Sequence, residues 1–235
     1  MNINHIRLIT FDCYGTLVDW ETGILNALEP VFERHGVHPT RQHIIRTFGD
    51  IERRVEAGRY RPYREVLHEV ARRLLDRAGL IEESLAPLDT EVLPNSVGDW
   101  PAFDETPRCL RALKDSGYQL GVLSNIDDDM FASSAPRLGV ELDLLVTAQQ
   151  VRSYKPAPAH FREAINRSGL DDSQILHVDE SLFHDVGPAR ALGITTVWIN
   201  RRAGNPSASG ESDATPDHTV RSLAELVEWL GLPAT

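Results

Sequence analysis

The stretch TFDCYGTLVDW, residues 10–20, sets a carboxylate, Asp12, at the end of an apolar run and just ahead of Tyr14, Gly15 and Thr16. Ser124 and Asn125 stand in the same relation to a second apolar run. Lys155 lies in the loop SYKPAP after a third, and Asp179, Glu180 and Asp185 follow a fourth. Open parallel sheets hold their ligands at the carboxyl ends of the strands. Four such ends would bring a carboxylate, a hydroxyl, a cation and further acids to one crevice. A lone aspartate ending a strand more often just caps a turn. A carboxylate kept ionised by a neighbouring lysine is instead a nucleophile in waiting.

The elements needed to position these residues are legible. Residues 6–11, 118–123, 142–146, 174–178 and 194–199 are short runs rich in Val, Ile and Leu, each bounded by Gly, Asp or Asn. Between them lie helical patterns, DETPRCLRALKDSG, PAHFREAINRSG and FHDVGPARALG; the first has Asp104 as N-cap, Pro107 in the first turn and Gly117 as the stop. Strands alternating with helices of this length predict βαβ units and a parallel sheet covered on both faces, an α/β fold. Residues 20–96 break the rhythm: ETGILNALEPVFERHG, TRQHIIRTFGDIERRVEAG and YREVLHEVARRLLDRAG read as helices, with no strand among them. The segment is a helical insertion after the first strand, placed to close over that strand's carboxyl end. The domain expectation is a core of 1–19 and 97–235 with the insertion as 20–96. Residues 204–217, rich in Ser, Gly, Pro and Asp, read as a surface loop before the closing helix SLAELVEWLG.

Composition narrows the function. The chain has 235 residues, 41% of them apolar, enough for a sizeable core. Its 35 Asp and Glu against 24 Lys and Arg leave a formal charge of −11, with no basic run to track a phosphate backbone, which argues against nucleic acid as a partner. Cys13 and Cys109 make neither a disulfide framework nor a zinc spacing, so a reducing cytoplasm fits. No segment approaches the ~18 uninterrupted apolar residues of a membrane span, and the N-terminus lacks the pattern of a signal peptide. Leu and Val stripes on the inserted helices leave room for a homodimer.

The four motifs together resemble the haloacid dehalogenase superfamily: FDCYGTLVD is similar to its first motif, VLSN to the second, YKP to the third and HVDESLFHD to the fourth. The resemblance implies a Rossmann-like parallel-sheet core with a helical cap and an aspartyl-enzyme intermediate at Asp12. Lys155 and Asp185 would share the catalysis, and Thr16, Ser124 and Asn125 would hold an anionic small molecule. Phosphatases of the superfamily carry a second aspartate two residues after the first, to protonate a poor leaving group. This chain has Tyr14 there, a phenol of reference pKa about 10. Halide needs no proton to leave, and D-x-Y-G-T is also the pattern of the L-2-haloacid dehalogenases. That branch implies hydrolysis of a short 2-halocarboxylate without a cofactor, with Tyr14 beside the substrate.

Other features of the chain keep alternatives open. The dehalogenases place an arginine early in the cap to receive the halide. Arg41 and Arg46 stand closest to that place, and Arg46 is preferred; either also fits a solvated helix face. Phe161 stands where those enzymes tend to carry a tyrosine. Glu180 and Asp185 resemble the magnesium ligands of the phosphatase branch, so a magnesium-dependent phosphatase is the second reading. Ring opening of a strained cyclic amino acid by the same displacement is another, and a catalytically silent binding protein the last. His177 and His184 read first as structural. WINR at 198–201 followed by Gly204 and Asn205 resembles the end of the dehalogenases. Arg59, Tyr60, Arg61, Tyr63 and Arg64 form either a rim facing substrate or a polar helix entry.

Overall fold

A computed structural model describes residues 3–80, 82–201 and 212–233. Six parallel strands form one sheet: β1 Leu8–Phe11, β2 Gln119–Ser124, β3 Leu144–Thr147, β4 Ile175–Asp179, β5 Thr195–Ile199 and β6 His218–Val220, in the order β3-β2-β1-β4-β5-β6. Five of the six lie where the apolar runs predict them. The sixth, HTV, is a three-residue edge strand that begins on a histidine, too short and too polar to stand out as a run.

Alternation of side chains divides the core into two layers. Leu8, Leu123, Val146 and Ile175 pack with Phe161 and Ala164 of α8 (Ala159–Ser168) and Ala189 of α9 (Gly187–Ala191). Ile9, Phe11, Leu120, Val122, Leu176 and Val178 pack toward α5 (Thr106–Asp115) and α10 (Leu223–Trp229) on the opposite face. The strands are buried on both sides, which is why they read as continuous apolar runs. Helix α5 begins one residue later than expected. Asp104 does not cap it; Glu105 precedes the helix, and its carboxylate accepts instead from Arg201 and from the Leu223 amide.

Between β1 and α5 the chain runs through α1 (Trp20–Arg34), α2 (Arg41–Glu56), α3 (Tyr63–Arg77) and α4 (Val92–Ser96), with no strand among the described residues. Asp19 caps α1 by accepting from the Thr22 amide, and Thr40 caps α2 by accepting from the His43 amide. Two contacts fix these helices to the sheet. Asp127, just past β2, accepts from the Tyr63 and Arg64 amides at 2.9 Å each, so a core residue caps α3. Gly23 of α1 faces the Trp100 ring so closely that a Cβ there would lie 2.3 Å from it. Residues 202–211, which include Gly204, Asn205 and most of the expected loop, lie outside the described residues.

Candidate active site

Register sets the floor of the site. Phe11 pairs with Val122 on one side and Val178 on the other, so the next residue, Asp12, stands level with Leu123 and Asp179 at the carboxyl end of the sheet. This is the crevice where the strand order reverses, between β1 and β4. Lys155 reaches into it from the loop after β3. Its ammonium donates to Asp12 Oδ1 at 2.8 Å, Asp185 Oδ1 at 2.6 Å and the Leu123 carbonyl at 2.8 Å. An ammonium has three protons, and all three are engaged by protein. Asn125 fixes the loop from both sides: its Oδ1 accepts from the Lys155 amide at 2.7 Å, and its Nδ2 donates to the Lys155 carbonyl at 3.2 Å.

The network continues inward. His177 bonds Asp185 Oδ1 through Nε2 at 2.9 Å, and Thr10 through Nδ1 at 2.9 Å. His177 is fully buried on β4 and edge-on to Phe161. The histidine therefore shares a network with Asp12 through Asp185 and Lys155, although it does not line the cavity that holds them. Burial alone opposes ionisation of Asp185, but the Lys155 charge and the His177 bond win and hold it far below the usual carboxylate range. Burial pushes Asp12 upward, with the Lys155 ammonium pulling against it. Burial also lowers the affinity of Lys155 for its proton, but Asp12 and Asp185 more than reverse this, so Lys155 stays cationic. Asp179 is buried beside Asp185 with neither oxygen bonded, and desolvation drives it well above its ordinary value.

Asp12, Tyr14, Ser124, Asn125, Lys155 and Asp185, six of the expected site residues, line one cavity. Thr16 does not line it. Buried beneath, its hydroxyl donates to Asp12 Oδ2 at 3.4 Å and accepts from the Glu180 amide at 3.0 Å, so Thr16 positions the carboxylate. Tyr14 shares a 3.0 Å hydrogen bond with Ser134 and stacks edge-on against Trp100 at 5.5 Å. Burial pushes its phenol well above the ordinary range. Ser124 is buried and its hydroxyl has no partner among the described residues; the same holds for Asp185 Oδ2.

Two expectations are not met. Arg46 is exposed on α2 and stands outside the cavity, because its helix turns Ile44, Ile45, Thr47 and Phe48 inward instead; Arg41 is exposed and pairs with Glu29 at 2.8 Å. No arginine lines the cavity among the described residues. Glu180 also turns away: its carboxylate lies against Gly15, outside the cavity. A magnesium ion would need several oxygen donors converging on one point. Here Asp185 Oδ1 is taken by Lys155 and His177, Glu180 faces elsewhere, and no group of three or more acids, histidines or cysteines converges for a metal among the described residues. Glu180 and Asp185 therefore do not converge on one ion.

The sequence does not single out Phe48, Glu52 and Glu56, which, spaced four apart, put one face of α2 into the cavity, together with Trp20, Trp100 and Ser181. Tyr63, alone of the candidate rim residues 59–61, 63 and 64, lines the cavity, as does His184. The Tyr63 hydroxyl donates to Glu52 Oε1 at 2.5 Å. Burial raises Glu52 to about 7 and Glu56 well above its ordinary value, the latter also through Glu52 itself. His184 bonds Ser181, and burial lowers it to about 4, so it is neutral at pH 7. The period of four was the available signal, since acids following an inward-facing phenylalanine at that spacing share its face.

A family model described as haloacid dehalogenase-like hydrolase matches residues 6–193. An (S)-2-haloacid dehalogenase of Pseudomonas putida is 28% identical, covering 97% of this chain and 98% of the relative. A phosphoglycolate phosphatase of Neisseria meningitidis is 25% identical over 97% of this chain and 95% of its own. Among solved structures, an L-2-haloacid dehalogenase superposes with a TM-score of 0.83 at 26% identity, covering 96% of this chain and 99% of that one.

Proposed function

The chain belongs to the haloacid dehalogenase-like hydrolases, and on that premise we propose that it releases halide from a short 2-halocarboxylate through an ester at Asp12. The carboxylate attacks C2, a C–O bond forms as the carbon–halogen bond breaks, and halide departs with the electron pair. Water then attacks the Asp12 carbonyl carbon, and the 2-hydroxy acid leaves with an oxygen that began on Asp12. Full-length similarity to an (S)-2-haloacid dehalogenase supports this substrate class.

The observation that carries the proposal is the pairing of Asp12 with Lys155 at 2.8 Å in a cavity wall that offers no second acid two residues on, only a phenol bonded to Ser134. A departing alkoxide would need a proton donor there, whereas halide does not. Asp185 Oδ2, buried and unpaired in the cavity wall, is the acceptor for the proton of the hydrolytic water. Ser124 has a free hydroxyl for the substrate. In this proposal residues 20–96 act as a cap over a core of 1–19 and 97–235, and no metal takes part. The two buried free thiols, Cys13 and Cys109, suit a cytoplasmic setting, and no helix among the described residues is long and apolar enough to cross a membrane.

The test runs a short L-2-haloacid and p-nitrophenyl phosphate side by side, with magnesium and with excess EDTA. Halide release at an unchanged rate in EDTA, with poor phosphate release in magnesium, is expected. Efficient phosphate release abolished by the chelator, without halide release, overturns the proposal.

A further inference from the structure

The cavity has two walls of different chemistry, and the helical one contributes acids and aromatic rings but no cation among the described residues. Glu52 and Glu56 face inward from α2, while the single lysine of the cavity has all three protons engaged by Asp12, Asp185 and Leu123. Arg53 is the guanidinium that most affects Glu52, yet it lies outside the cavity and pairs with Asp50 at 2.6 Å. Trp20, Phe48, Tyr63 and Trp100 supply aromatic surface beside the two acids. Carboxylates among aromatic rings form a receptor for an ammonium group, because ring faces and carboxylates both attract a cation. Among the described residues, no other lysine and no arginine lines the cavity to pair with Glu52 and Glu56. Ser124, buried with its hydroxyl unpartnered, independently marks a place for a polar ligand in the same cavity.

We infer that Glu52 and Glu56 are receptors for a cationic nitrogen, so that the substrate is a small carboxylate that also carries an ammonium group. The inference rests on the aspartyl-ester reading only for the position of the reacting carbon. It gives the α2 acids a role of their own: selecting substrate by its positive end. It also gives a reason for the burial that leaves them reluctant to ionise, since the charge that would hold them ionised arrives with the ligand. The groups facing them are Asp12, Asn125, Tyr154 and Lys155 from the core, Tyr63 from α3 and Arg53 from their own helix. Binding of an ammonium should therefore expel protons near neutral pH, and affinity should rise with pH through about 7.

The experiment is calorimetric titration with 4-aminobutanoate and with pentanoate, which differ by an ammonium in place of a methyl and carry no leaving group. Wild-type protein should bind 4-aminobutanoate at least ~10-fold more tightly, a difference of about 1.4 kcal/mol. That preference should grow between pH 6 and 8 and should collapse in Glu52→Gln and Glu56→Gln. Equal or tighter binding of pentanoate by the wild type overturns the inference, as does a preference that survives in both variants. If a variant fails to fold, the wild-type pair and its pH dependence decide alone. Halide release from 4-amino-2-chlorobutanoate, which carries both the ammonium and the leaving group, is measured in parallel. Its absence despite binding counts against the aspartyl-ester reading, while the titration still judges the ammonium receptor.

Discussion

On the floor of the cavity one ammonium is shared by two carboxylates within 2.8 Å, whereas the α2 wall presents two carboxyls with a phenol and an amide as their partners. The floor is built from strand ends in fixed register, and its charges are balanced internally. The wall is built from one face of a helix, and its balance waits for a ligand. The difference separates two tasks. Chemistry needs a nucleophile whose ionisation does not depend on the substrate, while selection needs groups whose ionisation does.

Replacing the nucleophile breaks the floor most severely. Asp12→Asn should lower turnover by ~10³-fold or more while leaving ligand binding at the wall measurable, since the amide keeps the shape but cannot form the ester. Steady-state halide release checks this, with mass spectrometry to exclude amide hydrolysis back to aspartate. Lys155→Met acts on the same region through stability. It leaves Asp12 and Asp185 buried without their cation, and should cost about 3–5 kcal/mol in a urea melt. Asp185→Asn added to Lys155→Met should recover part of that loss, because the two charges belong to one network.

The joint between floor and wall is the next target. Gly23→Ala would put a methyl 2.3 Å from the Trp100 ring, which itself stacks on Tyr14. Overpacking of this kind costs about 1–3 kcal/mol, and the Trp100 shift should appear as a change in tryptophan fluorescence. Asp127→Ala removes the carboxylate that caps α3 from the core. A loss of about 1 kcal/mol is expected. KM should rise more than kcat falls, because the wall loosens while the floor stays intact.

The smallest effect lies in pH. Glu52 is raised to about 7 in the folded protein, so the folded state binds its proton more tightly than the unfolded chain does. Its contribution to stability is full below the unfolded value and is lost as pH rises through the folded one. Wild-type stability should therefore carry a downward slope over that window which Glu52→Gln removes, seen in denaturant midpoints. Asp185 has the opposite sign: its folded value is lowered, so its contribution is present at neutral pH and is lost only in acid.

The same contrast explains what the sequence made legible. Strand ends announce themselves together, because Asp12, Ser124 and Asp179 each follow an apolar run and parallel register then sets them side by side. The wall is cryptic. An acid on an amphipathic helix ordinarily belongs to its solvated face, and Glu52 and Glu56 differ from Arg46 and Asp50 only by the face of α2 on which they fall. Arg46 was expected inside because the resemblance calls for a cap arginine near that place, but helix geometry gave that face to Phe48. Glu180 was expected near a metal for the same reason, and the turn after β4 points it toward Gly15. The edge strand β6 was missed because a strand of three residues carries too little alternation to detect.

The central claim is that an oxygen of Asp12 is the atom that attacks. A single turnover in heavy-oxygen water, with enzyme in excess over an L-2-haloacid, tests it directly. The hydroxy acid formed should carry ordinary oxygen, and the peptide containing Asp12 should carry the heavy isotope after digestion and mass spectrometry. Heavy oxygen in the first-turnover product, with none at Asp12, would mean that water attacks the substrate itself and would contradict the account.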